Sequence, residues 1–251
     1  MKFFFTINRN KILFLFSLFL FSFSFGFCEI LQTDTTLKPQ KVKTVPNLRL
    51  GVQVGYGYRF ASIPYSNNSV LNKHFNKLKH CLSIGADFSY FFKSYIGVGV
   101  KYNGIFSHTI TENVTFAFED GSNEDYKQFS ESLNIHYFGA FLATQIFIVP
   151  KKHCLFANVG AGYARCRNNT FLVKIDNNNN LSLPFEKRES TTITKNGAAI
   201  FAEIGYDFFV IKSFAIGLRA SLLIDLKKTK LSKPESLNHI DFSLAFSFYN
   251  M

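Results

Sequence analysis

Tryptophan is absent from the 251 residues, so phenylalanine, at 32 copies, carries most of the aromatic content. The four cysteines, Cys28, Cys81, Cys154 and Cys166, have no spacing that a structural metal would need, and no metal site is expected. No phosphate-cradling loop or dinucleotide fingerprint occurs either, which removes the nucleotide-dependent classes and leaves no cofactor implied. Acid is missing from the N-terminus. Residues 1–26 hold Lys2, Arg9 and Lys11 but no Asp or Glu, and residues 12–25 carry no charge at all. A basic start, an apolar run and the small residues Ser24 and Gly26 describe a cleaved export signal over 1–26. A retained membrane helix is the alternative, but the run is short for a span of ~20 residues. Removing the signal takes three of the 28 basic residues and none of the 17 acids, so the net charge falls from +11 to about +8. An exported chain does not meet nucleic acid inside the cell. Its excess positive charge points to anionic lipid headgroups, lipopolysaccharide and surface polysaccharide.

What is present is a period of two. Over 82–106, Leu82, Ile84, Ala86, Phe88 and Tyr90 fall on one side, and Ser83, Gly85, Asp87 and Ser89 on the other. After Lys93-Ser94 the pattern resumes, with Ile96, Val98, Val100 and Tyr102 opposed to Gly97, Gly99, Lys101 and Asn103. Alternation around a tight break predicts an antiparallel hairpin. The same signal predicts strands over 48–61, 129–149, 154–167, 193–211, 214–226 and 237–249, making eight with the hairpin. Residues 27–47 are polar and aperiodic, a flexible lead-in to a folded unit over 48–251. Connections alternate between turns of two to four residues and loops of roughly 10 to 26, including 62–78, 108–128 and 168–192. Short turns on one rim and long external loops on the other are the pattern of an eight-stranded antiparallel up-and-down transmembrane β-barrel, all-β in class. A lipocalin-like soluble barrel is the structural alternative, and it would have to place Asp87, Lys101, Asp207 and Arg219 outside.

If the polar face lines the lumen, opposed residues must share it. In the first hairpin paired numbers then sum to 188, setting Asp87 opposite Lys101, Phe88 opposite Val100 and Cys81 opposite Ser107. Applied to the second Lys-Ser turn, at Lys212-Ser213, the same logic gives 426 and sets Asp207 opposite Arg219. Arg49, Arg59, Glu203 and Asp241 have the parity to join a lumen charge network, because a buried charge needs a partner. Such a network plugs and holds the barrel; a narrow gated pore is the sharper alternative. Glycines on this face make room for long side chains from neighbouring strands.

The strand-one pattern LRLGVQVGYGYRF, the turns KSYIGVGV and KSFAIGL and the closing IDFSLAFSFY resemble the small eight-stranded outer-membrane barrels, the grouping of the OmpA membrane domain and OmpX-like proteins. The resemblance covers about 48–251. It implies insertion into the bacterial outer membrane as a monomer by the barrel-assembly machinery, and a structural or surface-binding role with an extracellular ligand. It also implies two alternatives, a lipid-modifying enzyme or a small pore. Non-enzymatic contact through four external loops is the leading expectation. The acidic patch Glu119, Asp120, Glu124 and Asp125 and the asparagine run with Asn177 and Asn178 are its binding candidates. For an enzyme, the residues to hand are His80, His108 and Ser107 near the outer rim. Cys81 and Cys166 share lumen parity and an external position, which leaves a disulfide open.

Overall fold

The structure, a computed structural model, describes residues 47–60, 69–117, 123–149, 152–175, 186–226 and 237–250. Eight strands form in chain order: β1 (Leu48–Arg59), β2 (His80–Lys93), β3 (Ile96–Ala117), β4 (Asn123–Val149), β5 (His153–Ile175), β6 (Glu186–Ile211), β7 (Phe214–Asp225) and β8 (His239–Asn250). One helix, α1 (Ser69–Lys77), precedes β2. Each strand pairs antiparallel with the next, and β1 pairs with β8 from Leu48↔Asn250 to Arg59↔His239, closing the barrel. Closure leaves no free edge in the ring, the condition for a sheet to sit in lipid. Residues 1–46, which include the export signal and nearly all of the lead-in, lie outside the described residues.

The two faces are assigned as membrane physics requires. On β1 the even positions Leu50, Val52, Val54 and Tyr56 are exposed, while Arg49, Gln53 and Arg59 are buried. On β7 Leu218 is 66% exposed and its neighbour Arg219 only 2%. A water-soluble barrel reverses this order, so the calyx alternative is excluded. Outward apolar runs span 82–92 on β2, 96–106 on β3, 138–148 on β4 and 155–163 on β5, which is nine to eleven residues each. A tilted strand needs ~9–11 residues to cross the hydrocarbon layer. The ring is a membrane-spanning barrel.

Two expectations need correction. The first concerns length. β3, β4, β5 and β6 have 22, 27, 23 and 26 residues, against 12 to 14 for the other four. Most of the presumed loops 108–128 and 168–192 are therefore strand. Pairs such as Thr115↔Asp125 and Thr170↔Thr191 carry the sheet well past the external rim. Within the presumed loop 62–78, α1 forms instead. Its Leu71, His74 and Phe75 recur at helical spacing with Leu78 just beyond, and Leu71, His74 and Leu78 are buried.

The second correction concerns register. The first hairpin sums to 188 as expected, with Asp87↔Lys101 and Phe88↔Val100. The second sums to 424, so Asp207 faces Gly217 and Arg219 faces Gly205. The two Lys-Ser turns are not equivalent: Lys93 still pairs with Ile96 in the first, whereas Lys212-Ser213 are themselves the turn between Ile211 and Phe214 in the second. A bulge on the incoming strand precedes the turn in both. Packing explains the choice. A Cβ on Gly217 would occupy the place of the Asp207 carboxylate, and one on Gly205 that of the Phe156 ring.

Candidate functional site

Glycine alternation lets this interior hold charge. Asp87 faces Gly51, Lys101 faces Gly139, Asp207 faces Gly217, Arg219 faces Gly205 and Asp241 faces Gly57. Each charged side chain crosses toward the middle of the ring over a position without one. All eight charged residues singled out by parity, Arg49, Arg59, Asp87, Lys101, Glu203, Asp207, Arg219 and Asp241, are at most 3% exposed.

Closure brings them together in groups that differ from the hairpin pairs. Asp87 takes two arginines: Arg49 Nη2 donates to its Oδ2 at 3.1 Å, and Arg219 Nη1 to its Oδ1. Arg219 also donates to Gln53 Oε1 at 3.2 Å and to Ser247 Oγ at 2.9 Å. The ring of Phe156 lies under both guanidiniums, 4.1 Å from Arg49 Cζ and 5.2 Å from Arg219 Cζ. Lys101 pairs with Glu203, which accepts from Asn158 Nδ2 at 2.8 Å, and its Nζ stands 4.4 Å from the Phe201 ring centre. Asp241 accepts from Ser221 Oγ at 2.5 Å and Asn103 Nδ2 at 3.3 Å, with His239 Nε2 3.9 Å away. Asp207 accepts from the Tyr249 hydroxyl at 2.6 Å, not from Arg219. Arg59 donates to the carbonyl of Leu78 at 3.5 Å.

Apolar layers close this polar stack above and below. At the lower end Cys154, Phe209, Ala215 and Tyr249 pack together. Toward the outer end Cys81, Ile105, Leu133, Tyr137, Cys166, Phe201, Leu223 and Leu237 form one buried cluster. An arrangement of this kind holds strands in place. Cys81 and Cys166 share that cluster as thiols; no disulfide joins them.

Above it, α1 is fastened across the mouth. His74 Nδ1 is 2.7 Å from Thr111 Oγ1, and its Nε2 is 3.5 Å from Glu131 Oε2. The imidazole stacks on Phe129 at 4.2 Å, and Asn168 donates to Glu131. Alternation alone did not single out His74, Thr111 and Glu131. The helical spacing of Leu71, His74 and Phe75 was the available signal.

The enzyme candidates do not assemble. Ser107 points inward and donates to the carbonyls of Leu78 (3.1 Å) and His80 (3.0 Å), while the His80 and His108 side chains are on the outer face. Of the loop candidates, Asp125 accepts from Thr115 Oγ1 at 2.7 Å and Glu124 from the Tyr126 hydroxyl at 2.6 Å. That bond and the carboxylate's charge push the Tyr126 phenol up to about 12. Glu119, Asp120, Asn177 and Asn178 lie outside the described residues. Among the described residues no cluster of metal-ligating side chains occurs.

No protein-family model matches the chain, and none of the curated proteins does. Solved structures do. Neisserial surface protein A matches at 9% identity, covering 83% of this chain and 100% of its own, with a TM-score of 0.44. Ail, the attachment invasion locus protein of Yersinia pestis, solved with the heparin analogue sucrose octasulfate, matches at 13% identity, 81% and 98% coverage and a TM-score of 0.40. The N-terminal β-barrel domain of Pseudomonas aeruginosa OprF matches at 12% identity, 82% and 98% coverage and a TM-score of 0.39. All three likenesses concern the fold alone. The closed ring, its lipid-facing exterior and its filled interior are those of an outer-membrane β-barrel protein.

Proposed function

We propose that this barrel is a surface-binding protein whose contact surface is the external continuation of β3–β6. One observation carries the reading: these four strands run far beyond the length a membrane crossing needs, while the other four stop at the rim. Above the rim the sheet has a packed apolar side, Val114 and Phe129 against Leu71 of α1 with Phe75, Phe116 and Leu172 around them. A stiffened sheet presents its tips to a large ligand at little ordering cost. Glu124 and Asp125 stand near one tip; Glu119, Asp120, Asn177 and Asn178 belong to the segments that join the strands above. Export by residues 1–26, cleavage after residue 26 and insertion by the assembly machinery as a monomer complete the proposal.

The test uses bacteria that display the full chain, and a variant in which residues 118–122 and 176–185 are replaced by short Gly-Ser turns. Both are applied to immobilised matrix proteins and polysaccharides. Retention by the parent and its loss in the variant support the reading. Retention no greater than that of cells lacking the protein, or unchanged in the variant, overturns it.

A further inference from the structure

A second constellation lies on the outer face and is not used by the interior network. On β2, β4 and β5 the outward apolar run ends at its external edge on an imidazole or a guanidinium, His80, His136 and Arg165, with Arg167 one outward position above; on β3 the outward imidazole is His108, with Ile110 one outward position above it. These strands are adjacent in the ring. His136 is the register partner of Arg165, and Asn134 of Arg167. Across the other half the corresponding edge residues are neutral, Asn196 on β6 and Asn238 beside β8, and Lys195 of β6 is drawn to Asp225 at 2.9 Å. The cations form an arc over half the circumference.

Their partners leave them available. The Tyr56 hydroxyl bonds Nδ1 of His80, and the Tyr102 hydroxyl bonds Nδ1 of His136 at 2.8 Å. Each tyrosine fixes its ring and leaves Nε2 for a ligand. Arg165 and His108 have no hydrogen-bond or ion-pair partner among the described residues, and Arg167 holds only Asn169 Oδ1, at 3.1 Å through Nε. Among the described residues the outward acids along these strands are Glu112, two outward positions above His108 and paired in register with Gln128, and Asp125 near the tip of β4, which is held by Thr115. A hollow of about 480 Å³ lies against the wall between Tyr56, His80, Leu82, Phe106 and His108, where the apolar band meets the first imidazoles.

We propose that this arc binds the phosphate groups of an outer-leaflet lipid. Guanidiniums take phosphate oxygens in pairs, and imidazole N–H groups add single donors. Because the donors begin where the apolar surface ends, one molecule satisfies both, with its acyl chains on the band and its phosphates on the arc. A free phosphate uses only the second half of that surface. The proposal rests on the membrane placement of the band and is independent of any ligand of the protruding sheet.

The test reconstitutes the full chain in phosphatidylcholine nanodiscs doped with purified lipopolysaccharide or with its dephosphorylated form, and reads retained lipid by native mass spectrometry. The parent is expected to retain the phosphorylated form roughly tenfold better. The triple variant His136→Gln/Arg165→Gln/Arg167→Gln is expected to lose that preference and keep its heat-modifiable gel mobility. Should the triple variant fail to insert, Arg165→Gln alone, whose side chain has no hydrogen-bond or ion-pair partner among the described residues, is expected to lose part of it. Equal retention of the two lipids by the parent, or an unchanged preference in the variants, overturns the site. Competition by millimolar inorganic phosphate as effective as by the lipid overturns the lipid as its source.

Discussion

β4 and β5 are each built twice, once for lipid and once for water, and the change occurs within a few residues. Below the rim β4 shows Phe138, Leu142 and Ile148 outward, and β5 shows Leu155 and Tyr163, while Gln145 and Asn158 are buried inside. Above it the outward positions of β4 become Asn134, Ser132 and Ser130, those of β5 Arg165, Arg167 and Asn169, and the inner side turns apolar at Leu133, Phe129 and Val173. Neither half would fold in the other's surroundings. The lower half hides charge because lipid accepts none; the upper half hides hydrocarbon because water rejects it. The inversion locates the membrane edge from side chains alone, and it coincides with the row of His136 and Arg165.

Removing the acid that two guanidiniums share should produce the largest effect. Asp87→Ala leaves Arg49 and Arg219 buried without their carboxylate. The expected loss is about 3–5 kcal/mol, read as a lower temperature for the shift from folded to unfolded gel mobility. A midpoint equal to the parent's would mean that water or ions solvate the lumen. The inversion itself is tested by one substitution made on either side of the rim. Val100→Arg, near the middle of the lipid-facing run on β3, should cost about 2–4 kcal/mol and reduce insertion. Thr192→Arg, exposed on the upper part of β6, should leave both unchanged. Equal effects at the two sites would erase the distinction between the halves.

The lower half was legible in the chain because lipid imposes one uniform requirement on every second residue. Alternation therefore yielded eight strands, the first hairpin's register and the faces of every strand but the fourth, where 137–149 is nearly continuous in apolar residues and leaves them ambiguous. The upper half was not. Stretches such as Thr109–Thr115 and Ser190–Thr194 carry β-branched residues, but no single side is consistently apolar, and strand preference without a partner is weak. What makes them strands is a neighbour that is already paired below. The shared carboxylate of Asp87 was hidden for another reason. Arg219 is 132 residues from it in the chain, and their meeting depends on closure and on the side chains reaching across glycines. The second hairpin failed on a one-residue difference in where the turn sits relative to its Lys-Ser pair, which moves a pairing by two positions. The cation arc was visible as separate letters and became a feature only when β2–β5 were laid side by side.

The mouth is where the two halves meet, and His74→Ala addresses it. Loss of the contacts to Thr111 and Glu131 leaves a buried carboxylate with Asn168 as its remaining side-chain donor. About 1–3 kcal/mol of local stability should go, seen as faster proteolysis within 69–79 while the gel-mobility midpoint stays near the parent's. Cleavage at the parental rate would mean that Leu71 and Leu78 alone hold the helix.

The smallest effect belongs to Asp207→Ala, and it separates the two registers of the second hairpin. Were Asp207 paired with Arg219, its removal would strand a buried guanidinium and rival Asp87→Ala. In the observed register Arg219 keeps Asp87, Gln53 and Ser247, and the variant loses the Tyr249 hydrogen bond. The other oxygen of Asp207 is buried without a hydrogen-bond partner, so the substitution also relieves an unfavourable burial. The net cost should be about 1 kcal/mol, and Tyr249→Phe, which leaves the buried carboxylate without that donor, should cost at least as much. A gel-mobility midpoint for Asp207→Ala as low as that of Asp87→Ala would restore the sum of 426 and put the glycine-facing arrangement of the interior in error.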